Sequence, residues 1–503
     1  MAPFDPAAGQ IFRTNEWQVV PGAATRDVVS PADLSIVGRI AATPLPLAED
    51  VAKEAHASQG AWKRTDAKTR AKLLHDVAHS IASSGFKDVA RLMSLEMGKP
   101  YPEAVGELMN VAPAFRYFAE MARDDAGKLA GTTQSGSFQY VRYEPYGVSL
   151  HIVPFNFPIL LMSWTVAASL AAGNACIVKP AEATSLSTLA FMAHFAKSLP
   201  PGLVSCLTGD AQLAQALIRS RSIHAVAFTG GVKGARAVAL AAAEAFKPAI
   251  IEAGGNDAMI VSEHAPLEVA ASGAATAAFH LSGQVCTSAE RLFVHDRVHD
   301  AFVEKLAAIA RRLRIGPGLE ESEIGPLVSE AARARVMKLV EDAVEAGATV
   351  VAGGRIPAGR RVGWYFEPTV LAGCRPEMAI MNEEIFGPVA AVCRVGSFEE
   401  AIELANRSAY GLGASVFTTD LKQALAAAEA LEAGMVWVNN PLIDNDALPF
   451  GGWKCSGLGR ELGRQGLDAF RQSKMVVIDP EPKAQDWWYP YPKDWFYPGS
   501  GRG

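Results

Sequence analysis

The chain is poor in cysteine and has no long run of charge of one sign. Its six cysteines in 503 residues, Cys176, Cys206, Cys286, Cys374, Cys393 and Cys455, stand too far apart for a C-x-x-C pair, a zinc ribbon or a dense disulfide framework. The ten histidines form no H-E-x-x-H, so no metal site is expected. Basic residues number 47 against 53 acidic, a net charge of -6, and no Lys/Arg cluster supplies a local field for nucleic acid. The opening stretch, MAPFDPAAGQIFRTNEW, has no basic start leading into an apolar segment. A secretory signal is therefore not expected, and a reducing, cytoplasmic setting is. Charge is missing altogether from Ile152 to Val178, a length that could span a bilayer. Pro154, Asn156, Pro158, Gly173 and Asn174 interrupt it, so the expectation is a buried strand–loop–helix–strand unit and no membrane span.

What is present is a large apolar core: 50% of the residues are hydrophobic and 20% charged, and the length suggests about three domains. Apolar residues at helical spacing make the first ~120 residues mostly helical, over 47–62, 67–84 and 86–96. From Gly147 short apolar runs (148–153, 175–179, 204–207, 225–229, 249–252) alternate with helical stretches (159–172, 187–198, 211–220, 232–245). That order implies right-handed crossovers and a parallel sheet covered on both faces, with ligands beyond the carboxyl ends of its strands. A second α/β stretch begins near Gly254, with helices at 267–281, 298–312 and 330–346 and strands at 291–294, 349–352, 389–395 and 434–438. Segments 137–143 and 474–478 alternate in polarity and could pair as an arm. The tail from Asp486 holds Trp487, Trp488, Tyr489, Tyr491, Trp495, Phe496 and Tyr497 among prolines and glycines, too short for a domain and too apolar to hang free in water.

Several short motifs sit where such folds do chemistry. Phe228-Thr229-Gly230-Gly231-x-x-Gly234 follows a strand and opens a helix, a phosphate-binding context, although a plain tight turn reads equally well without the full G-x-G-x-x-G. Glu252 ends an apolar strand directly before Gly254-Gly255; such a residue can act as a base or merely cap a helix. Gly283-Gln284-Val285-Cys286-Thr287-Ser288 offers a thiol after a glycine turn, while an inert buried cysteine is the ordinary reading. Pro154-Phe155-Asn156-Phe157-Pro158 brings a side-chain amide to a strand end, where it can serve an oxyanion or simply complete a loop. Lys179-Pro180-Ala181-Glu182 offers one cation and one carboxylate, or a charged surface turn.

In this order, and joined by Glu384-Ile385-Phe386-Gly387-Pro388, Asn406-x-x-x-Tyr410-Gly411-Leu412, Pro449-Phe450-Gly451-Gly452 and Ser456-Gly457-x-Gly459-Arg460-Glu461, the motifs resemble those of the NAD(P)-dependent aldehyde dehydrogenase superfamily. Cys286 stands 34 residues after Glu252, and the resemblance runs from about residue 20 to 480. It implies a Rossmann-type dinucleotide-binding domain (1–122 and 146–253) and an α/β catalytic domain (254–455). A small β oligomerisation arm with a bridging segment (123–145 and 456–486) and an aromatic tail (487–503) complete the chain. It further implies a homodimer or homotetramer built through the arms.

The resemblance also implies roles. Cys286 is the nucleophile that forms a thiohemiacetal and then a thioester; Asn156 and the Cys286 N–H hold the oxyanion; Glu252 activates the hydrolytic water. Lys179 and Glu182 match the adenosine-ribose residues, Glu384 and Phe386 those of the nicotinamide, and Phe155, Thr229, Gly230 and Gly231 border the pyrophosphate. NAD is expected over NADP because Glu182 repels a 2′-phosphate. Three residues depart from the family's usual motifs: Phe155 for tryptophan, Gly231 for serine and Asn256 for lysine. The tunnel would be lined by Phe157, Leu161, Trp164, His280, Val285, Thr287, Asp444 and Phe450, suiting a hydrophobic, aromatic or amino aldehyde and disfavouring an acidic semialdehyde. His280 either packs or meets a ring hydroxyl. Two rivals stand beside oxidation to the acid: a CoA-acylating semialdehyde dehydrogenase, whose relatives lack the glutamate, and a catalytically silent oligomeric scaffold.

Overall fold

The computed structural model describes residues 4–124, 127–132, 136–485, 487–491 and 493–496. The chain divides into two compact units, one of residues 1–124 and 145–471, the other of 125–144 and 472–503.

The larger unit is built on two sheets. In the eight-stranded sheet the order is Gly457–Leu458, Ala249–Glu252, Ala225–Thr229, Val148–Ile152, Ala175–Lys179, Val204–Cys206, Gln10–Arg13, Glu16–Val19. The five strands from Ala249–Glu252 to Val204–Cys206 run parallel. They are nearly continuous runs of buried aliphatic residues because helices cover both faces. Chain order reverses between Val148–Ile152 and Ala225–Thr229, which opens a crevice at their carboxyl ends. The uncharged segment from Ile152 to Val178 passes through this sheet as a strand end, a fifteen-residue helix, Pro158–Ala172, and a strand. That helix is buried from Pro158 to Ala171. Among the described residues no helix is long and apolar enough to cross a membrane.

The seven-stranded sheet has the order Thr349–Ala352, Thr369–Ala372, Val389–Val395, Ala289–His295, Asp257–Val261, Gly413–Phe417, Met435–Val438, parallel apart from its first pair. Residues 456–471 belong to the larger unit, where Gly457–Leu458 pairs antiparallel with the strand that ends in Glu252. In the smaller unit Lys128–Leu129, Phe138–Pro145 and Arg471–Ile478 form a three-stranded sheet with Arg471–Ile478 at its edge. Trp487 packs edge-on to Trp488, and Tyr491 against Tyr489, Trp495 and Phe496. Tyr497 and the residues after it lie outside the described set.

Helices Leu45–Trp62, Ala67–Ala82 and Lys87–Met97 fall where apolar periodicity places them. Four strands between Gln10 and Ala41 precede them, a departure from the helical reading of this region; four to six residues each, they are too short to show a period. The helix expected over 187–198 is two helices, Ser185–Phe191 and Ala193–Ala196.

Candidate active site

The crevice holds a cavity of about 650 Å³ whose wall collects strand ends that are distant in sequence. Phe155 and Asn156 follow one strand, Lys179 ends the next, Thr229, Gly230 and Gly231 follow a third, and Glu252 ends a fourth. Glu384 and Phe386 close it from the other sheet, together with Cys286. Helix Val232–Glu244 begins at Gly231 with no side-chain cap, so its first N–H groups are left for an anion. A Cβ on Gly231 would meet nothing within 4 Å, whereas one on Gly230 would strike the Phe228 ring at 2.8 Å. Glu182 is not in this wall. It borders a separate pocket of about 210 Å³ with Thr43 and Asp210, and it is ion-paired with Arg26.

A second cavity of about 590 Å³ is lined by Phe157, Leu161, Trp164, His280, Val285, Thr287, Asp444 and Phe450. The Trp164 and Phe450 rings lie 4.9 Å apart. His280 stacks on Phe157 at 6.3 Å, and its Nδ1 lies 3.2 Å from Glu103 Oε1. Cys286 lines both cavities, and among the described residues it is the one residue they share.

The loop before Cys286 holds that sulfur at the junction. Leu281, Ser282 and Gly283 take left-handed φ of 52°, 57° and 71° in succession. For the two non-glycines this costs about 1–2 kcal/mol each. The Ser282 hydroxyl donates to the Gly325 carbonyl at 2.9 Å, and the Gln284 side-chain Oε1 accepts from the Val328 N–H at 2.9 Å. A Cβ on Gly283 would stand 2.0 Å from the Gly387 carbonyl oxygen, so the loop before Cys286 and the Glu384–Pro388 segment touch at two glycines. Glu290 secures that segment by accepting from the Ile385 and Phe386 N–H groups at 2.8 and 2.7 Å. Asn256, in the usual place of a lysine, donates to Glu290 at 3.0 Å.

Burial sets the protonation states. Desolvation pushes the Glu252 carboxyl up to about 7, opposed by the Cys286 thiol and the Gly254 N–H, and neither carboxylate oxygen has a hydrogen-bond partner at ordinary distance. The Cys286 thiol is held well above its usual range, first by burial and then by the charge of Glu252. The resting thiol therefore keeps its proton, with the Glu252 carboxyl beside it. Burial also lifts Glu384 to about 8 and lowers Lys179 to about 8. Asp444, in the second cavity, is raised to about 7 by burial and then by Asp446.

The model of the aldehyde dehydrogenase family matches residues 19–476. The chain belongs to this family. It is an enzyme, an aldehyde dehydrogenase, similar to the betaine aldehyde dehydrogenase of Bacillus subtilis (34% identity; 95% of this chain, 99% of the relative). It is likewise similar to the glutarate-semialdehyde dehydrogenase of Pseudomonas putida (36% identity; 93% and 97%). Among solved structures it resembles the betaine aldehyde dehydrogenase of Staphylococcus aureus in complex with NAD+, with a TM-score of 0.92 and 30% identity over 96% of this chain and 97% of that one.

Sequence reasoning missed two parts of this dehydrogenase's walls and the role of one buried carboxyl. Val328, Ser329, Ala332 and Arg335 line the first cavity, beside Tyr410 of the Asn406–Leu412 motif, with Arg335 donating to the Ile385 carbonyl at 2.7 Å. Helix Tyr101–Met109 lines the second. Glu461 lines neither cavity: it is buried, held well above the usual carboxylate range by burial and by Glu252, and its carboxylate accepts from the Thr229 hydroxyl at 3.4 Å. Its backbone pairs both ways with Phe450. Its place in the Gly459-Arg460-Glu461 motif was the available signal.

Proposed function

We propose that this aldehyde dehydrogenase uses NAD to oxidise an aldehyde with a cationic far end to its carboxylic acid. The observation that carries the reaction is the placement of Cys286 at the junction of a dinucleotide-sized crevice and an aromatic tunnel, with Glu252 beside it. Glu252, near neutrality, accepts the thiol proton directly or through water. The thiolate adds to the aldehyde carbon arriving from the tunnel, and the Asn156 amide with the Cys286 N–H receives the oxyanion. NAD, when bound, supplies the acceptor for the hydride that leaves the thiohemiacetal carbon. Glu252 gives the thiol proton up to solvent and, ionised again, takes a proton from water as the water oxygen bonds to the thioester carbon. The C–S bond breaks, the acid is released, and the sulfur regains a proton. Lys179, Thr229, the Gly231 helix start, Glu384 and Phe386 suit a polyphosphate flanked by two riboses.

Identity does not choose the substrate, since relatives named for a betaine aldehyde and for an acidic semialdehyde are equally similar. Tunnel charge does. Among the described residues its lining carries Glu103, Asp444 and Glu107, the last neutralised by the buried Lys99, and neither lysine nor arginine. Aromatic faces at Trp164 and Phe450 with a carboxylate nearby suit an amino or quaternary ammonium group. The edge strand Arg471–Ile478, with Met475 and Val477 exposed, fits pairing with a second copy into a dimer or a dimer of dimers. NADH formation with cationic, aromatic, aliphatic and acidic aldehydes, with and without CoA, tests the reading; a preference for the acidic member, or a requirement for CoA, overturns it.

A further inference from the structure

Lys99 and Glu107 form an ion pair with both side chains wholly buried. Withdrawing two charges from water is unfavourable even when they pair, so stability alone gives little reason for it. Its bonds converge on one short segment. Glu107 Oε1 accepts from the Ile159 and Leu160 N–H groups at 2.9 and 3.1 Å. The Lys99 ammonium donates to the Asn156 backbone carbonyl at 2.5 Å and lies 4.2 Å from the Phe157 ring centroid. Helix Pro158–Ala172 has no side-chain cap of its own, so Glu107 stands in for one from another element and complements the positive end of that helix.

One turn earlier on the same helix, Glu103 accepts from the Leu281 N–H at 3.1 Å, at the start of the left-handed run before Cys286. Two carboxylates at i and i+4 face one side of a helix. One grips the chain just after Asn156, the other the chain just before Cys286.

We propose that helix Tyr101–Met109 is the bracket that sets the oxyanion site, Glu107 with Lys99 fixing Asn156 and Glu103 fixing the turn that carries Cys286. These are positioning residues, and the inference rests on the reading of Asn156 as an oxyanion donor. A misplacement of about 1 Å in such a donor is enough to slow a reaction ~10²-fold.

A double-mutant cycle on the full chain tests it, read as the NADH burst rate and kcat, with the Kd for NAD and circular dichroism as controls. Asn156→Ala should lower the burst rate ~10²-fold or more. Glu107→Gln should lower it ~10-fold or more while the Kd for NAD stays within about twofold. The double variant should fall within about twofold of Asn156→Ala alone, because both act through one group. Multiplying losses, or a full burst in Glu107→Gln, overturn the bracket. An unimpaired Asn156→Ala instead overturns the oxyanion reading on which it stands. Should Glu107→Gln fail to fold, Glu103→Gln, at the partly exposed position, carries the test. It should change the rate of Cys286 alkylation by iodoacetamide ~5-fold or more with unchanged circular dichroism, and an unchanged alkylation rate overturns the proposal.

Discussion

Gly255 lies against Cys286 so closely that a Cβ on the glycine would stand 2.4 Å from the Cys286 carbonyl oxygen. The obstacle is backbone, which cannot swing aside as a side chain can. Gly255→Ala is therefore expected to displace the nucleophile and lower kcat ~10²-fold, with the Kd for NAD nearly unchanged. Steady-state kinetics beside NAD titration by fluorescence check this, and a wild-type kcat refutes it.

Cys286→Ala should remove turnover and leave NAD binding intact, since the change is nearly isosteric; activity above about a hundredth of wild type would show another nucleophile. Glu252→Gln should keep a pre-steady-state burst of NADH while steady-state turnover falls ~10²–10⁴-fold. Equal loss of both phases would assign Glu252 chiefly to thiol activation. Because Glu252 must be ionised to act as a base, and burial places it at about 7, kcat/KM should fall as pH drops through that value.

The same window holds Asp444, raised to about 7 and neutral below it. Only the ionised form attracts a cation. The ratio of kcat/KM for a cationic aldehyde to that for a neutral one cancels the ionisation of Glu252. It should rise ~10-fold between about pH 6 and about pH 8. In Asp444→Asn the ratio should be low and flat. A wild-type ratio that does not move with pH would place the cation elsewhere.

Arg26 engages the carboxylate of Glu182, the group expected to discriminate against NADP. Glu182→Gln removes the charge that repels a 2′-phosphate and frees the guanidinium to receive one. NADP should gain ~10-fold in kcat/KM relative to NAD, about the worth of one charge-assisted hydrogen bond. Arg26→Ala in the same background should cancel the gain. Both comparisons need only initial rates.

Legibility in the sequence followed the length of the local signal. The strand ends bearing Asn156, Lys179, Thr229 and Glu252 are legible because each closes an apolar run and opens onto a glycine, proline or amide turn. Glu103 and Glu107 were not legible. Their partners are Leu281 and Ile159, 178 and 52 residues away, and a carboxylate on a short helix looks solvated until the fold buries it. Arg335 was not legible either, since packing alone brings it to the crevice. Glu182 shows the reverse: its motif is clear, but a residue near the chain start takes up its carboxylate.

The two cavities meet at one sulfur, and Glu252 opens onto only the crevice side. In the proposed reaction an acyl group on Cys286 plugs the tunnel from within, so the water that frees it has to enter by the dinucleotide's doorway. Spent carrier and incoming water become rivals for one entrance, while the aldehyde's entrance stays shut until the acid has gone. In that reaction the placing of a single thiol in a shared wall imposes an order of events, in which the crevice clears before the tunnel reopens.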